Sequence, residues 1–314
     1  MRAVILDLDG LESFCLNPIR DQLDELVTYN LTPPEQVSER ISGFDIVITN
    51  KTPLSRESIL GADKLKYICV VATGTNVVDK AAAKEAGIPV SNCVAYGVNS
   101  VVQHVWSLIL MLHTNLLAYH NDVQNGRWQK SGQFCFLDYP ITELSGRNLG
   151  IIGYGNLGQG VARIAESFGM NVLVCQRIGG EVSPERLPFD DFIQQADVIS
   201  LHCPLTEETS DLFTFETFKK MKPHAFLINA ARGGIVNEAD LAKALREGEI
   251  AGAATDVLTN EPPKDGNVLL DPTIPNLIVS PHIAWGSVEA RQRIIEQTAE
   301  NISEFRAGKL IRTV

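Results

Sequence analysis

Three side chains in the second half of the chain are of the types that proton transfer on a carbonyl compound needs. They are Arg232 at the end of LINAARGG, Glu261 in DVLTNEPP and His282 in SPHIAWGS. Each follows a short apolar run of strand character, at 225–229, 252–257 and 277–279. Strand ends on one edge of a parallel sheet converge even when far apart in sequence, and open α/β sheets bind ligands at that edge. An arginine beside two glycines can present its planar fork to a carboxylate. A histidine beside a glutamate can donate a proton, because the carboxylate favours the imidazolium form. Together the three suit a 2-oxo acid: one group anchors, one transfers the proton and one orients, while a cofactor carries the hydride. Singly, each has a plainer reading, with Arg232 as a surface charge at a helix start, Glu261 as part of a Glu-Pro-Pro loop and His282 as a satisfied histidine after a proline. Their joint placement after successive strands favours chemistry. The other five histidines fit catalysis less well: His104, His113 and His120 lie on or at the end of a long helical stretch, His202 ends a strand and His224 sits in a turn.

A second motif supplies the place for a cofactor. The stretch LGIIGYGNLG at 149–158 is a strand-like run that meets glycines at 153, 155 and 158 before an amphipathic segment. In that strand, turn and helix context G-x-G-x-x-G is a dinucleotide cradle. Gly153 makes the tight turn, Gly155 lets the backbone approach a pyrophosphate, and Gly158 packs the helix on the strand, with the helix N-terminus facing the anion. The usual acid about 20 residues further on, which bonds the ribose hydroxyls, is missing. Gln176 and Arg177 stand there, and no Asp or Glu occurs from 167 to 180. A carboxylate would repel a 2′-phosphate, whereas these two accept one, so NAD or NADP is expected as cofactor.

The elements that must position these residues alternate. Strand-like runs at 3–6, 46–49, 67–71 and 88–90 interleave with helical periodicity at 33–41 and 78–86, for which Thr32 and Asn76 are the expected caps. Such alternation predicts parallel sheets covered on both faces. The loop ATGTNVVD at 72–79 follows one of these strands and exposes backbone N–H groups where a carboxylate can sit. From 100 to about 119 a long helix with apolar residues on most faces is expected to be buried between domains or subunits. The aromatic stretch after it, with Trp128, Phe134, Phe136 and Tyr139, suits an interface or a pocket wall. Strands at 171–175 and 198–201, and helices at 237–247 and 287–305, complete an α/β architecture. Two Rossmann-like, doubly wound parallel-sheet domains are expected. A nucleotide domain, 99–285, is inserted into a discontinuous, flavodoxin-like substrate domain formed by 1–98 and 286–314.

Composition narrows the function further. At 314 residues the length favours about two domains. The net charge is −11 with no basic cluster, which argues against nucleic acid. The start MRAVILDLDG is unlike a secretory leader, and the longest apolar stretch, 105–112, is too short for a bilayer. No membrane partner and a cytoplasmic location are expected. Six scattered cysteines (15, 69, 93, 135, 175 and 203) without a C-x-x-C pair read as reduced, buried small hydrophobes, with no metal site. ILDLDG at 5–10 also resembles the D-x-D-G nucleophile loop of haloacid-dehalogenase-like phosphatases; the bland alternative is an acidic turn after a strand.

Through GYGNLG, HCPLTEET, INAARGG, DVLTNEPP and SPHIAWGS the chain resembles the D-isomer-specific 2-hydroxyacid dehydrogenases along almost its whole length. The resemblance implies that Arg232 binds the substrate carboxylate and carbonyl, that His282 is the general acid and base, and that Glu261 pairs with it. It further implies substrate contact from the Thr73 and Gly74 backbone and a domain hinge at Asn99. Implied cofactor contacts are Gly153, Tyr154, Gly155, Asn156, Leu157, Gly158, Gln176, Arg177, Cys203, Pro204, Ala230, Ala231, Arg232, Asp256 and His282. The stretch QFCFLDYPI looks most like glycerate dehydrogenases, also called hydroxypyruvate reductases, so hydroxypyruvate or glyoxylate is the expected substrate. A homodimer built on the long helix is expected on the same ground. Asn76 and Gln103 replace an aspartate and a glutamate common in the family, and neither change removes a catalytic group. Glu261 argues against formate oxidation, for which a glutamine pairs with the histidine. Transcriptional corepressors share this fold, so an NAD(H)-sensing binding protein is the alternative.

Overall fold

Short β-branched runs separated by helices leave the chain little choice but parallel strands joined by crossovers. The computed structural model describes residues 1–180 and 183–314. Two compact units divide the chain, Met1–Gly97 with Gly286–Val314, and Val98–Trp285.

The first unit holds β1 (Arg2–Ile5), β2 (Glu25–Thr28), β3 (Ile46–Thr49), β4 (Tyr67–Val70) and β5 (Val90–Ser91), in the all-parallel order β2-β1-β3-β4-β5. That is the flavodoxin-like order. The central strands β3 and β4 are buried throughout, whereas the edge strand β2 is half exposed, so its ELVT lacks the apolar run that marks a strand in sequence. The C-terminal helix Val288–Arg306 belongs to this unit, where Phe305 stacks on Tyr67 at 4.3 Å and Asn301 Nδ2 donates to the Asn92 carbonyl at 2.9 Å. Asp7, the first aspartate of ILDLDG, is 2% exposed, and its carboxylate accepts the N–H groups of Asn50, Lys51 and Thr52 and the Thr49 hydroxyl. It anchors a turn, and with its lone pairs so occupied the phosphatase reading loses its nucleophile.

The second unit holds β6 (Asn148–Ile152), β7 (Asn171–Val174), β8 (Val198–Leu201), β9 (Phe226–Asn229), β10 (Gly252–Thr255) and β11 (Leu277–Val279), parallel in the order β11-β10-β9-β8-β6-β7. Neighbouring residues of one strand feed opposite cores. Ile152, Ile199, Leu227 and Ala253 join one apolar cluster, while Ile151, Val198, Ile228 and Ala254 join the other. Continuous apolar runs, rather than alternation, are what a sheet covered on both faces requires. The direction of winding reverses between β6 and β8, so the crevice of a doubly wound sheet falls at the carboxyl end of β6, above the glycine turn.

Four details depart from the sequence expectation. The long helix runs Val98–Thr114 and breaks at Asn115, which is left-handed at φ +49°; a second helix, Leu116–Gln124, leaves at 66°. Asparagine tolerates that conformation, and its Nδ2 donates to the Pro140 carbonyl at 2.6 Å. Thr32 caps no helix, since its hydroxyl donates to the Leu6 carbonyl and the following turn opens at Pro34. Asp79, not Asn76, caps Lys80–Glu85 by accepting from Ala82 N. Cys69, Cys93, Cys175 and Cys203 are buried, but Cys15 and Cys135 are exposed. Among the described residues no single helix is long and apolar enough to cross a membrane.

His113 ties the long helix to the sheet. Its ring lies 4.6 Å from that of Phe226, Nδ1 is 2.8 Å from Thr142 Oγ1, and burial, helped by Arg147, pushes it down to about 4. Burial pushes His202 down to about 4 as well. An unfolded imidazole titrates near 6.5, so above that pH neither state gains a proton. As the pH falls from about 6.5 towards 4 the unfolded chain binds protons that the folded one does not, and stability declines by about 3 kcal/mol for each group. Melting curves between pH 7 and 4 should show this loss, and His113→Gln should flatten the slope; a slope as steep as wild type would refute the assignment.

Candidate active site

The glycine turn meets the demands of a bound diphosphate. Gly153 has φ +94°, and a Cβ there would lie 2.5 Å from Cys203 N and from the His202 carbonyl carbon. A Cβ on Gly158 would lie 2.3 Å from the Gly153 carbonyl oxygen, so this glycine seats the helix on the strand. Gly155 differs, since a Cβ there would meet no atom within 4 Å. It opens the helix Asn156–Ser167 as an N-cap without a side-chain cap. The first-turn N–H groups of such a helix, with its dipole, favour an anion in the open space before them. The residues thus fit a dinucleotide, with two glycines required by packing and the third left clear. Around the turn, Cys203 and Pro204 follow β8, and Gln176 and Arg177 follow β7, Gln176 half-buried and Arg177 exposed. A Cβ on Gly179 would lie 2.9 Å from Cγ of Glu208, which brings an acid to the same end of the sheet. The Glu208 carboxyl is held below its usual range by the Thr206 hydroxyl, by its own backbone and by the charge of Arg177.

The catalytic candidates are set by backbone constraints at the ends of β9, β10 and β11. Asn229, buried at the end of β9, accepts from Ala231 N at 3.1 Å and donates to the Arg232 carbonyl at 2.9 Å. This curls Ala230 and Ala231 and leaves the Arg232 side chain exposed, with Nη1 donating to the Ala231 carbonyl at 2.6 Å. Gly233 then touches the next loop, where a Cβ would lie 2.0 Å from the Leu258 carbonyl carbon. Only glycine allows the Arg232 loop to lie directly against the loop that carries Glu261.

Glu261 is divided between two partners. Oε1 accepts Leu258 N at 2.8 Å, and Oε2 lies 2.6 Å from His282 Nδ1. The carboxylate makes Nδ1 the protonated ring nitrogen, which leaves Nε2 as the nitrogen able to exchange a proton. His282 is left-handed, at φ +54°, and its N–H donates to the Asp256 carbonyl at 2.8 Å. Asp256, 1% exposed, accepts Ser280 Oγ at 2.6 Å, Ile283 N at 3.0 Å and Ala284 N at 2.8 Å. Burial opposes its charge, yet hydrogen bonds from His104, Ser280, Ala284 and Ile283 outweigh that and hold its carboxyl below the usual range.

In the first unit Thr73 follows β4, its hydroxyl donating to the Cys93 carbonyl at 3.0 Å and its own carbonyl accepting Asn92 Nδ2 at 2.8 Å, beside a half-buried Gly74. Asn99 lies in the first turn of the long helix. Sequence reading missed Asn229, Gly233, Ser280 and Glu238, the last accepting from Thr259 N and Asn267 Nδ2 at 2.7 Å each. The Asn and first Gly of INAARGG were a signal for the first pair, whereas Glu238 acts from a helix and leaves none. Among the described residues no group of three or more His, Cys, Asp and Glu side chains is placed to hold a metal ion.

An open dinucleotide cradle and a carboxylate-bound histidine on the same parallel sheet define a nicotinamide-dependent oxidoreductase. The family described as D-isomer specific 2-hydroxyacid dehydrogenase, NAD binding domain, matches residues 106–284. A glycerate dehydrogenase of Methylorubrum extorquens is 48% identical over 278 residues, 88% of this chain and 87% of that one. A hydroxypyruvate reductase of Blautia hydrogenotrophica is 38% identical over 327 residues, covering 100% and 99%. Among solved structures, an acyclic imino acid reductase in complex with NADPH and D-Arg superposes with a TM-score of 0.85 at 28% identity, covering both chains fully. The chain belongs to the D-isomer-specific 2-hydroxyacid dehydrogenase family. Its cofactor is NAD or NADP. These relatives are named as enzymes, and nothing in them supports the corepressor-like alternative.

The two kinds of glycine separate by experiment. Gly155→Ala should keep the wild-type melting temperature and weaken NADH binding, read by fluorescence titration, by about tenfold, the loss of one close anion contact. Gly158→Ala should lower the melting temperature instead. Equal NADH affinity in Gly155→Ala and wild type would contradict the cradle.

Proposed function

We propose that the chain reduces hydroxypyruvate or glyoxylate to the corresponding 2-hydroxy acid, with Arg232, Glu261 and His282 as its catalytic groups. The observation that carries this reading is the 2.6 Å contact between Glu261 Oε2 and His282 Nδ1, in a loop held against that of Arg232 by the Gly233 backbone. Arg232 presents its fork to the substrate carboxylate and carbonyl oxygen and stabilises the charge that develops there. NAD(P)H, when bound, supplies a hydride to C2. His282 Nε2 gives its proton to the former carbonyl oxygen, while Glu261 holds the ring and stabilises its charged form. In the reverse direction the neutral ring takes the hydroxyl proton.

The unit Val98–Trp285 is the nucleotide domain in this reading. Gly153 to Gly158 hold the diphosphate, Gln176 and Arg177 face the ribose end, and Cys203, Pro204, Ala230, Ala231, Arg232, Asp256 and His282 line the rest. In the other unit, the backbone of Thr73 and Gly74 is suited to a carboxylate. The names of the relatives, glycerate dehydrogenase and hydroxypyruvate reductase, support the choice of substrate. A homodimer is supported by exposed apolar side chains on and after the bent helix pair, Leu116, Leu117, Trp128 and Phe134. A cytoplasmic setting agrees with the buried, unpaired cysteines Cys69, Cys93, Cys175 and Cys203.

Oxidation of NADH and of NADPH, followed by absorbance with hydroxypyruvate, glyoxylate and pyruvate, tests the proposal. His282→Ala should lose about 10²- to 10⁴-fold in kcat, the range for general acid–base catalysis, with little change in NADH binding. Arg232→Ala should raise KM as well as lower kcat. No turnover of any 2-oxo acid by the wild type, or near-normal turnover by His282→Ala, would overturn it.

A further inference from the structure

We propose that His104 is a positioning residue, which acts through Ser280 and Asp256 to hold the loop that carries His282. The inference rests on the reading of His282 as the acid and base. His104 comes from the long helix, and its Nε2 lies 3.1 Å from Ser280 Oγ and 3.4 Å from Asp256 Oδ1. The Ser280 hydroxyl spends its proton on Asp256 Oδ1 at 2.6 Å, so it offers His104 a lone pair. His104 Nε2 therefore carries hydrogen and donates.

Asp256 is the point on which this loop hangs. The N–H groups of three consecutive residues end on it, with His282 N on its carbonyl, Ile283 N on Oδ1 and Ala284 N on Oδ2. His282 needs that grip, because its left-handed φ of +54° is strained for a non-glycine residue and persists only where the surroundings enforce it. A buried carboxylate shared among several donors holds its geometry only while each donor is present. The same helix face grips the loop a second time, one turn earlier, where Ser100 Oγ donates to the Ala284 carbonyl at 2.7 Å. Residues 100 and 104 stand one above the other on a helix, so a single rigid element fixes both ends of the segment 280–284. Loss of the His104 donor frees Ser280 to turn, loosens the Asp256 carboxylate and lets His282 relax away from Glu261 Oε2.

Hydrogen exchange and kinetics on His104→Leu and His104→Gln test this, since glutamine places an N–H where Nε2 was. In the cofactor-free protein His104→Leu should speed exchange of the peptide containing Ile283 and Ala284 by about tenfold, as local opening becomes easier, without change in the helix Glu238–Glu247. Its kcat should fall at least about tenfold at little-changed KM, as expected when only the reacting geometry is lost. His104→Gln should restore both. Ser280→Ala should reproduce the leucine phenotype, and it carries the test if His104→Leu fails to fold. Wild-type loop exchange in His104→Leu and Ser280→Ala overturns the proposal, as does a kcat loss that glutamine leaves unrepaired. A wild type without turnover refutes the role of His282 instead, and the exchange data still decide the clamp.

Discussion

The hydrogen bond between Glu261 and His282 joins two loops 21 residues apart, and most of the second unit is arranged to make it. Neither side chain is deeply buried, so the contact draws little support from packing around it. An exposed ion pair of this kind adds at most about 1 kcal/mol to stability. Its geometry is instead imposed from beneath. Leu258 N fixes one oxygen of Glu261, Asp256 fixes the backbone of His282, and Gly233 sets the distance between the Glu261 loop and that of Arg232. The site is therefore weakly held by its own contacts and strongly held by the backbone of the sheet.

That backbone is rigid because it is covered on both sides. Ile151 and Ile152, Val198 and Ile199, Leu227 and Ile228 send neighbouring side chains into opposite cores. Each such side chain contributes roughly 1.5–3 kcal/mol on burial, against about 0.5–1.5 kcal/mol net for a typical neutral hydrogen bond. Where a strand must be approached more closely still, by a covering helix or a loop, the sequence removes the side chain altogether. A Cβ on Gly150 would lie 2.6 Å from the Phe192 ring, and one on Gly252 2.8 Å from the Asn276 carbonyl oxygen. Apolar bulk and its local omission together fix the sheet edge from which the polar loops depart.

Much of this was legible in the sequence, for reasons that can be named. β6, β8 and β9 are buried on both faces, so they read as mostly apolar runs bounded by glycine or polar turns. β2 escaped notice because an edge strand carries no such run. The break at Asn115 escaped because LLAYHNDVQ continues the helical pattern across it, and the decision lies in one backbone angle and a bond to Pro140. Thr32 and Asn76 have the chemistry of caps but lose the position to a proline turn and to Asp79, a competition settled by tertiary contacts. At the site, Arg232, Glu261 and His282 are visible because strand ends in a parallel sheet must share an edge. Asn229 and Gly233 act only on backbone, and nothing in their residue types announces which loop they hold.

The long helix shows the same division between what the sequence displays and what the fold uses. Its apolar residues Val105, Leu108, Ile109 and Leu112 account for its burial, and they would do so with any small polar residues between them. Yet the polar groups it carries inward are spent on three segments: Ser100 and His104 on the loop 280–284, through the Ala284 carbonyl and Ser280, Trp106 Nε1 on the Val161 carbonyl and His113 on Thr142. Taking such groups out of water costs several kcal/mol unless each finds a partner. A helix that places four of them therefore stays in register only if three other segments are in place. The reverse also holds, so the loop 280–284, the helix after the glycine turn and the segment at Thr142 are positioned by one element. The glycine turn and the loop that carries His282 are thus held on a common support, and it is the polar exceptions in an apolar helix that connect them.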